Sequence, residues 1–159
     1  MEAYVESALL KPELVKVFAD FARNLKGLSK CQDKQVACLI CSGDLKQIYS
    51  IGVNGGPSGD KDLECLCESD QTKYSCIHAE ANALVKLQTR DEHKVMICTY
   101  SPCLQCASMI INEPCGFDAV LFMDLHHDYS AIKLLFHHGI QVGQIGKYGH
   151  ITWFSPSFE

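Results

Sequence analysis

The chain has 159 residues, 47% of them hydrophobic, enough for one compact domain with its own core. Lys and Arg number 14 against 19 Asp and Glu, a net charge of -5 without a basic run, which argues against nucleic acid as the main partner because binding it means neutralising several phosphates. The first residues, Met1-Glu2-Ala3-Tyr4-Val5-Glu6, hold acids where a secretory signal holds bases, and no apolar stretch reaches the ~18 residues of a membrane span, so a soluble, cytoplasmic protein with no membrane partner is expected.

Leu14, Val15, Val17, Phe18, Phe21, Ala22 and Leu25 recur at three- and four-residue spacing between Pro12 and Leu28, predicting a first amphipathic helix that opens on proline. Val36 to Cys41 and Ile48 to Val53 are short apolar runs split by Ser42-Gly43-Asp44, the pattern of a hairpin. A glycine-rich loop, Asn54-Gly55-Gly56-Pro57-Ser58-Gly59-Asp60, follows, but no Gly-Lys-Ser/Thr opens a helix behind it, so it is not a nucleotide P-loop. Polar residues 61–75 read as an extended loop. Beyond Ile77 the elements alternate: helix His78 to Leu87, strand Val95 to Thr99, helix Cys103 to Ile111, strand Ala119 to Met123, helix Ser130 to His138, strand Ile140 to Ile145, and a short edge run Ile151 to Phe154. Such alternation predicts βαβ crossovers, a partly parallel sheet and helices on both faces.

The chain carries 10 cysteines, and in a reducing compartment metal ligation and burial explain them better than disulfides. Cys38, Cys41 and Cys98 lie in apolar strand-like runs and are expected in the core. Cys103 and Cys106, three apart behind Pro102, would project from one face of a helix start and chelate one ion, with His78 as a third ligand. Three protein ligands leave a fourth position for water, as in a catalytic zinc site. Glu80, two residues past His78, is then a carboxylate beside that water. A structural zinc knuckle would need a second Cys/His pair at short spacing, which His78-Ala79-Glu80 does not offer. A redox Cys-x-x-Cys has no use for a distant His-x-Glu.

His-x-Glu followed by Pro-Cys-x-x-Cys resembles the cytidine and deoxycytidylate deaminase superfamily. The chain is most similar to its deoxycytidylate (dCMP) deaminase branch, through Ser29-Lys30-Cys31, the loop Asn54 to Gly59, Thr72-Lys73-Tyr74, Asn82-Ala83-Leu84, Phe122-Met123-Asp124 and His127-Asp128. The likeness runs from about Leu14 to Val142. It departs at Val36-Ala37-Cys38, where the branch has Val-Gly-Ala, at Val53-Asn54-Gly55, where it has Tyr-Asn-Gly, and at His126, where it has an aromatic ring. These departures bear on the phosphorylation state of the substrate rather than on the reaction.

The resemblance implies a single zinc-dependent deaminase domain over residues 1–159, with a three-layer α/β/α cytidine-deaminase-like fold built on a central mixed sheet of about five strands. It implies Zn2+ on His78, Cys103 and Cys106, Glu80 as the catalytic proton shuttle, and hydrolysis of dCMP to dUMP and ammonia. Asn54 should meet the sugar hydroxyl, the Ala79 backbone and Tyr100 the base, and Ser29 and Lys30 the phosphate. Cys31, Cys65, Cys67 and Cys76 could form a second, structural zinc site, as in some members of the branch. A pyrimidine deoxynucleotide partner, a homo-oligomer and a deoxynucleoside triphosphate effector are implied as well. The alternatives are a deaminase of dCTP, a nucleoside, a free base or tRNA adenosine, and a non-enzymatic zinc scaffold, which would have no reason to keep Glu80.

Overall fold

A computed structural model describes residues 10–31, 34–59, 76–126 and 128–155. Pro12 stands at the start of α1 (Pro12–Leu25), where its missing N–H has no helical partner to lose, and Glu13 and Arg23 complement the helix dipole at either end. Val15, Ala19, Ala22 and Leu25 form the buried stripe, and a 3₁₀ turn at Lys26–Leu28 ends the helix.

The hairpin is β1 (Ala37–Ser42) paired antiparallel with β2 (Ile48–Val53), with a bulge at Ile40/Cys41. Its turn places Leu45 at φ 56, a left-handed conformation uncommon for a branched side chain. The alternating part follows as α2 (Ala79–Val85), β3 (Lys94–Tyr100), α3 (Leu104–Ile111), β4 (Ala119–Asp124), α4 (Ser130–His137), β5 (Gln141–Ile145) and β6 (Ile151–Trp153). The strands form one mixed sheet in the order β2-β1-β3-β4-β5-β6, parallel across β3, β4 and β5 and antiparallel at both ends. Six strands stand where about five were expected, because the edge run beginning at Ile151 pairs with β5 through Gly143 and Trp153.

Strand residues alternate between two cores. Leu39, Ile97 and Leu121 face α1, whereas Ile40, Met96, Val120 and Phe122 face α2, α3 and α4. Burial on both sides is why β1, β3 and β4 read as unbroken apolar runs. Cys38, Cys41 and Cys98 are fully buried among them, as expected. No described helix is long and apolar enough to cross a membrane. The connections β3-α3-β4 and β4-α4-β5 open at the carboxyl ends of parallel strands, where α/β sheets bind their ligands.

Candidate functional site

His78 is the N-cap of α2 and Cys103 the N-cap of α3, so two helix starts on the same face of the sheet meet at the site. Cys103 Sγ accepts a 3.5 Å hydrogen bond from the Cys106 backbone N–H, which fixes the first turn of α3. His78 Nδ1 lies 3.4 Å from Cys103 Sγ and 3.4 Å from Cys106 Sγ. Zinc with Zn–N near 2.0 Å and Zn–S near 2.3 Å in tetrahedral geometry separates its N and S ligands by about 3.5 Å. The three side chains therefore fit a zinc ion without rearrangement, and they form a metal-binding type of cluster among the described residues.

The thiols are electrostatically unequal. The pairing with Cys106 and then His78 holds the Cys103 thiol down to about 3, whereas the same pairing and burial push Cys106 up. A shared proton leaves one thiolate, and a metal ion that takes the proton's place stabilises both.

Glu80, in the first turn of α2, is 4% exposed and no member of that cluster. Burial raises its carboxyl to about 7. A group that must take and return protons near neutral pH is most effective at such a value.

α2 is held in place from below. Ser50 Oγ donates to the Ala83 carbonyl at 2.7 Å and Asn82 Nδ2 to the Val53 carbonyl at 2.9 Å, which anchors the helix on β2. Gly55 and Ile77 exchange two backbone hydrogen bonds of 3.1 and 2.9 Å, joining the glycine-rich loop to the segment that leads into His78.

His78, Cys103 and Glu80 line a cavity of ≈ 290 Å³, toward the small end of ligand pockets. Lys34, Asn54, Cys76, Ala79, Tyr100 and His126 are also on its wall. Asn54 is 6% exposed, and its side chain is fully engaged. Oδ1 accepts from Ser29 Oγ at 2.7 Å and from the Val36 N–H at 2.8 Å, while Nδ2 donates to the Lys34 carbonyl at 2.7 Å and to Cys76 Sγ at 3.6 Å.

The proposed phosphate donors are placed elsewhere. Ser29 is buried with its hydroxyl on Asn54, and Lys30 is exposed; neither is on the cavity wall. The wall instead carries Lys34, whose Nζ lies 3.6 Å from the centre of the Tyr100 ring, and the exposed His126. A lone Lys outside any motif gives no sequence signal of this placement. Of the second cysteine group, Cys31 is buried and Cys76 half-buried on the cavity wall, while Cys65 and Cys67 lie outside the described residues.

Among solved structures the chain is similar to the dCMP deaminase of cyanophage S-TIM5 in complex with dCMP and dUMP, with 29% identity, a TM-score of 0.74, and coverage of 84% of this chain and 98% of that one. The apo form of the phage protein gives a TM-score of 0.69 at 29% identity, covering 83% of this chain and 97% of that one. RibD of Acinetobacter baumannii, at 16% identity and a TM-score of 0.61, shares the fold over 83% of this chain and 35% of its own. No curated protein matches the chain by sequence. The profile of the cytidine and deoxycytidylate deaminase zinc-binding region matches residues 13–123, a span that holds His78, Glu80, Cys103 and Cys106, and the chain belongs to that family.

Proposed function

We propose that the chain, acting as one domain, is a zinc-dependent hydrolase that converts dCMP to dUMP and ammonia. The observation that carries this is the buried Glu80 carboxyl on the wall of the same small cavity as His78 and Cys103, which with Cys106 form the zinc-fitting cluster. Zinc held there supplies a water acidified to near neutrality. Glu80 takes a proton from the attacking water as its oxygen adds to C4 of cytosine, and passes that proton to N3. Glu80 then takes the second proton and delivers it to the exocyclic amine, the C4–N bond breaks, and ammonia departs. Cytosine and water thus become uracil and ammonia, and Glu80 ends as it began.

The rest of the wall positions the substrate in this reading. The Ala79 backbone and Tyr100 face the base, and Asn54 meets the sugar hydroxyl by exchanging its weakest contact, that with Cys76 at 3.6 Å. The choice of dCMP rests on the phage enzyme, whose structure holds dCMP and dUMP. The family resemblance extends the reading to a cytoplasmic homo-oligomer with a deoxynucleoside triphosphate effector. Purified protein should release ammonia from dCMP with the absorbance change of cytosine becoming uracil. Turnover of deoxycytidine or dCTP with none of dCMP would overturn the substrate while sparing the reaction.

A further inference from the structure

We infer that Lys34, held against the Tyr100 ring at the cavity wall, is the residue by which this chain selects a phosphorylated substrate, with His126 as a second donor to the same phosphate. The inference rests on the dCMP reading and adds to it a residue for phosphate recognition.

Lys34 is the one Lys or Arg among the described residues of the cavity wall. It is fixed at both ends. Its carbonyl accepts the 2.7 Å hydrogen bond from Asn54 Nδ2, and its Nζ sits 3.6 Å from the centre of the Tyr100 ring. An ammonium held over an aromatic face loses less freedom when it meets an anion than one waving in solvent. Tyr100 ends β3 and Lys34 lies in the segment before β1, so the β1–β3 pairing brings them together.

The residues of the cavity wall differ in exposure. Glu80 and Ala79 are 4% and 1% exposed, and the zinc-fitting cluster that begins at the neighbouring His78 supplies the reacting groups, so the base belongs beside them. Lys34 and His126 are exposed wall residues. The His126 N–H donates to Ser101 Oγ at 2.7 Å, which fixes the backbone carrying its ring. A nucleotide with its base beside Glu80 carries its anionic end away from it along the wall, where Lys34 supplies an ammonium and His126 a ring nitrogen. The small volume and the single Lys among the described wall residues suit a compact phosphate rather than a polyanion.

The test compares kcat/KM for dCMP and deoxycytidine in wild type, Lys34→Met, Lys34→Arg and Tyr100→Leu. The dCMP-to-deoxycytidine ratio is expected to fall roughly tenfold to a hundredfold in Lys34→Met, mostly through KM for dCMP, and to recover in Lys34→Arg. Tyr100→Leu should lower the ratio by a smaller factor. Inorganic phosphate should compete with dCMP in wild type and lose that competition in Lys34→Met. A wild type that prefers dCMP, with an unchanged ratio in Lys34→Met, overturns this assignment alone. A wild type that turns over deoxycytidine and ignores dCMP overturns the dCMP reading and this inference with it.

Discussion

Gly52 on β2 and Ala79 at the start of α2 are in such close contact that a Cβ on Gly52 would lie 2.0 Å from the Ala79 carbonyl oxygen and 2.6 Å from the Ala83 nitrogen. Both are backbone atoms, so no side-chain rotation relieves the clash. Glycine here lets α2 settle onto the sheet, and the depth of α2 sets where His78 and Glu80 stand. Gly52→Ala should lift the helix, destabilise the fold by about 1–3 kcal/mol and, by displacing the reacting groups, reduce turnover at least tenfold. Thermal unfolding and a deaminase assay measured together check this; unchanged values of both would show that α2 tolerates the shift.

Glu80→Gln keeps the volume of the side chain and removes its capacity to shuttle protons. Glu80 is not among the three zinc-fitting residues, so metal content should stay at the wild-type level while turnover falls by about 10²–10⁴. Metal analysis beside ammonia release separates the two effects. Loss of zinc in this variant would make Glu80 a ligand and not a proton carrier.

Cys106→Ala removes a thiolate from a cluster whose Nδ1–Sγ distances are both 3.4 Å. Its zinc should be lost, activity abolished and the melting temperature lowered, because metal binding to the folded chain is folding free energy. Chelation of the wild type should reproduce the same lowered melting temperature, and added zinc should restore it for wild type alone.

The parts of the fold visible in the sequence are those with a local cause. The α1 stripe of Val15, Ala19, Ala22 and Leu25 follows helical spacing, and β1, β3 and β4 announce themselves as apolar runs because both faces are covered. His78, Glu80, Cys103 and Cys106 are legible because chelation geometry constrains their spacing. Lys34 and Ser29 were not legible, for opposite reasons. Lys34 gains its place only from the pairing of β1 with β3, which sets it over Tyr100. Ser29 looks like a surface donor in sequence, yet the fold buries it and commits its hydroxyl to Asn54. β6 was marginal because three residues at a sheet edge carry little periodicity.

Lys94, at the start of β3, is fully buried, with Nζ 3.0 Å from Glu113 Oε2 and a further hydrogen bond to the Asp91 carbonyl. Removing one member of such a pair leaves the other charge without its counterion. Lys94→Met alone should destabilise by about 3–5 kcal/mol, and Lys94→Met with Glu113→Leu should recover most of that loss. Chemical denaturation of the single and double variants gives the coupling; a double variant as unstable as the sum of the singles would show that the two charges act independently.

The buried Glu80 carboxyl also gives stability a pH dependence opposite to that of a salt-bridged acid. Burial raises its pKa to about 7 in the folded chain from 4.5, so as pH rises the unfolded chain releases this proton first. Between those two values the folded state binds more protons, and stability therefore falls as pH increases. The contribution is fully present below 4.5 and lost above about 7, on the order of 3 kcal/mol across the window. In chelator-treated protein, the melting temperature of wild type should drop between pH 5 and pH 8 by more than that of Glu80→Gln, which has no proton to release. Parallel pH curves for the two proteins would mean that the Glu80 carboxyl ionises in the fold as readily as it does in water.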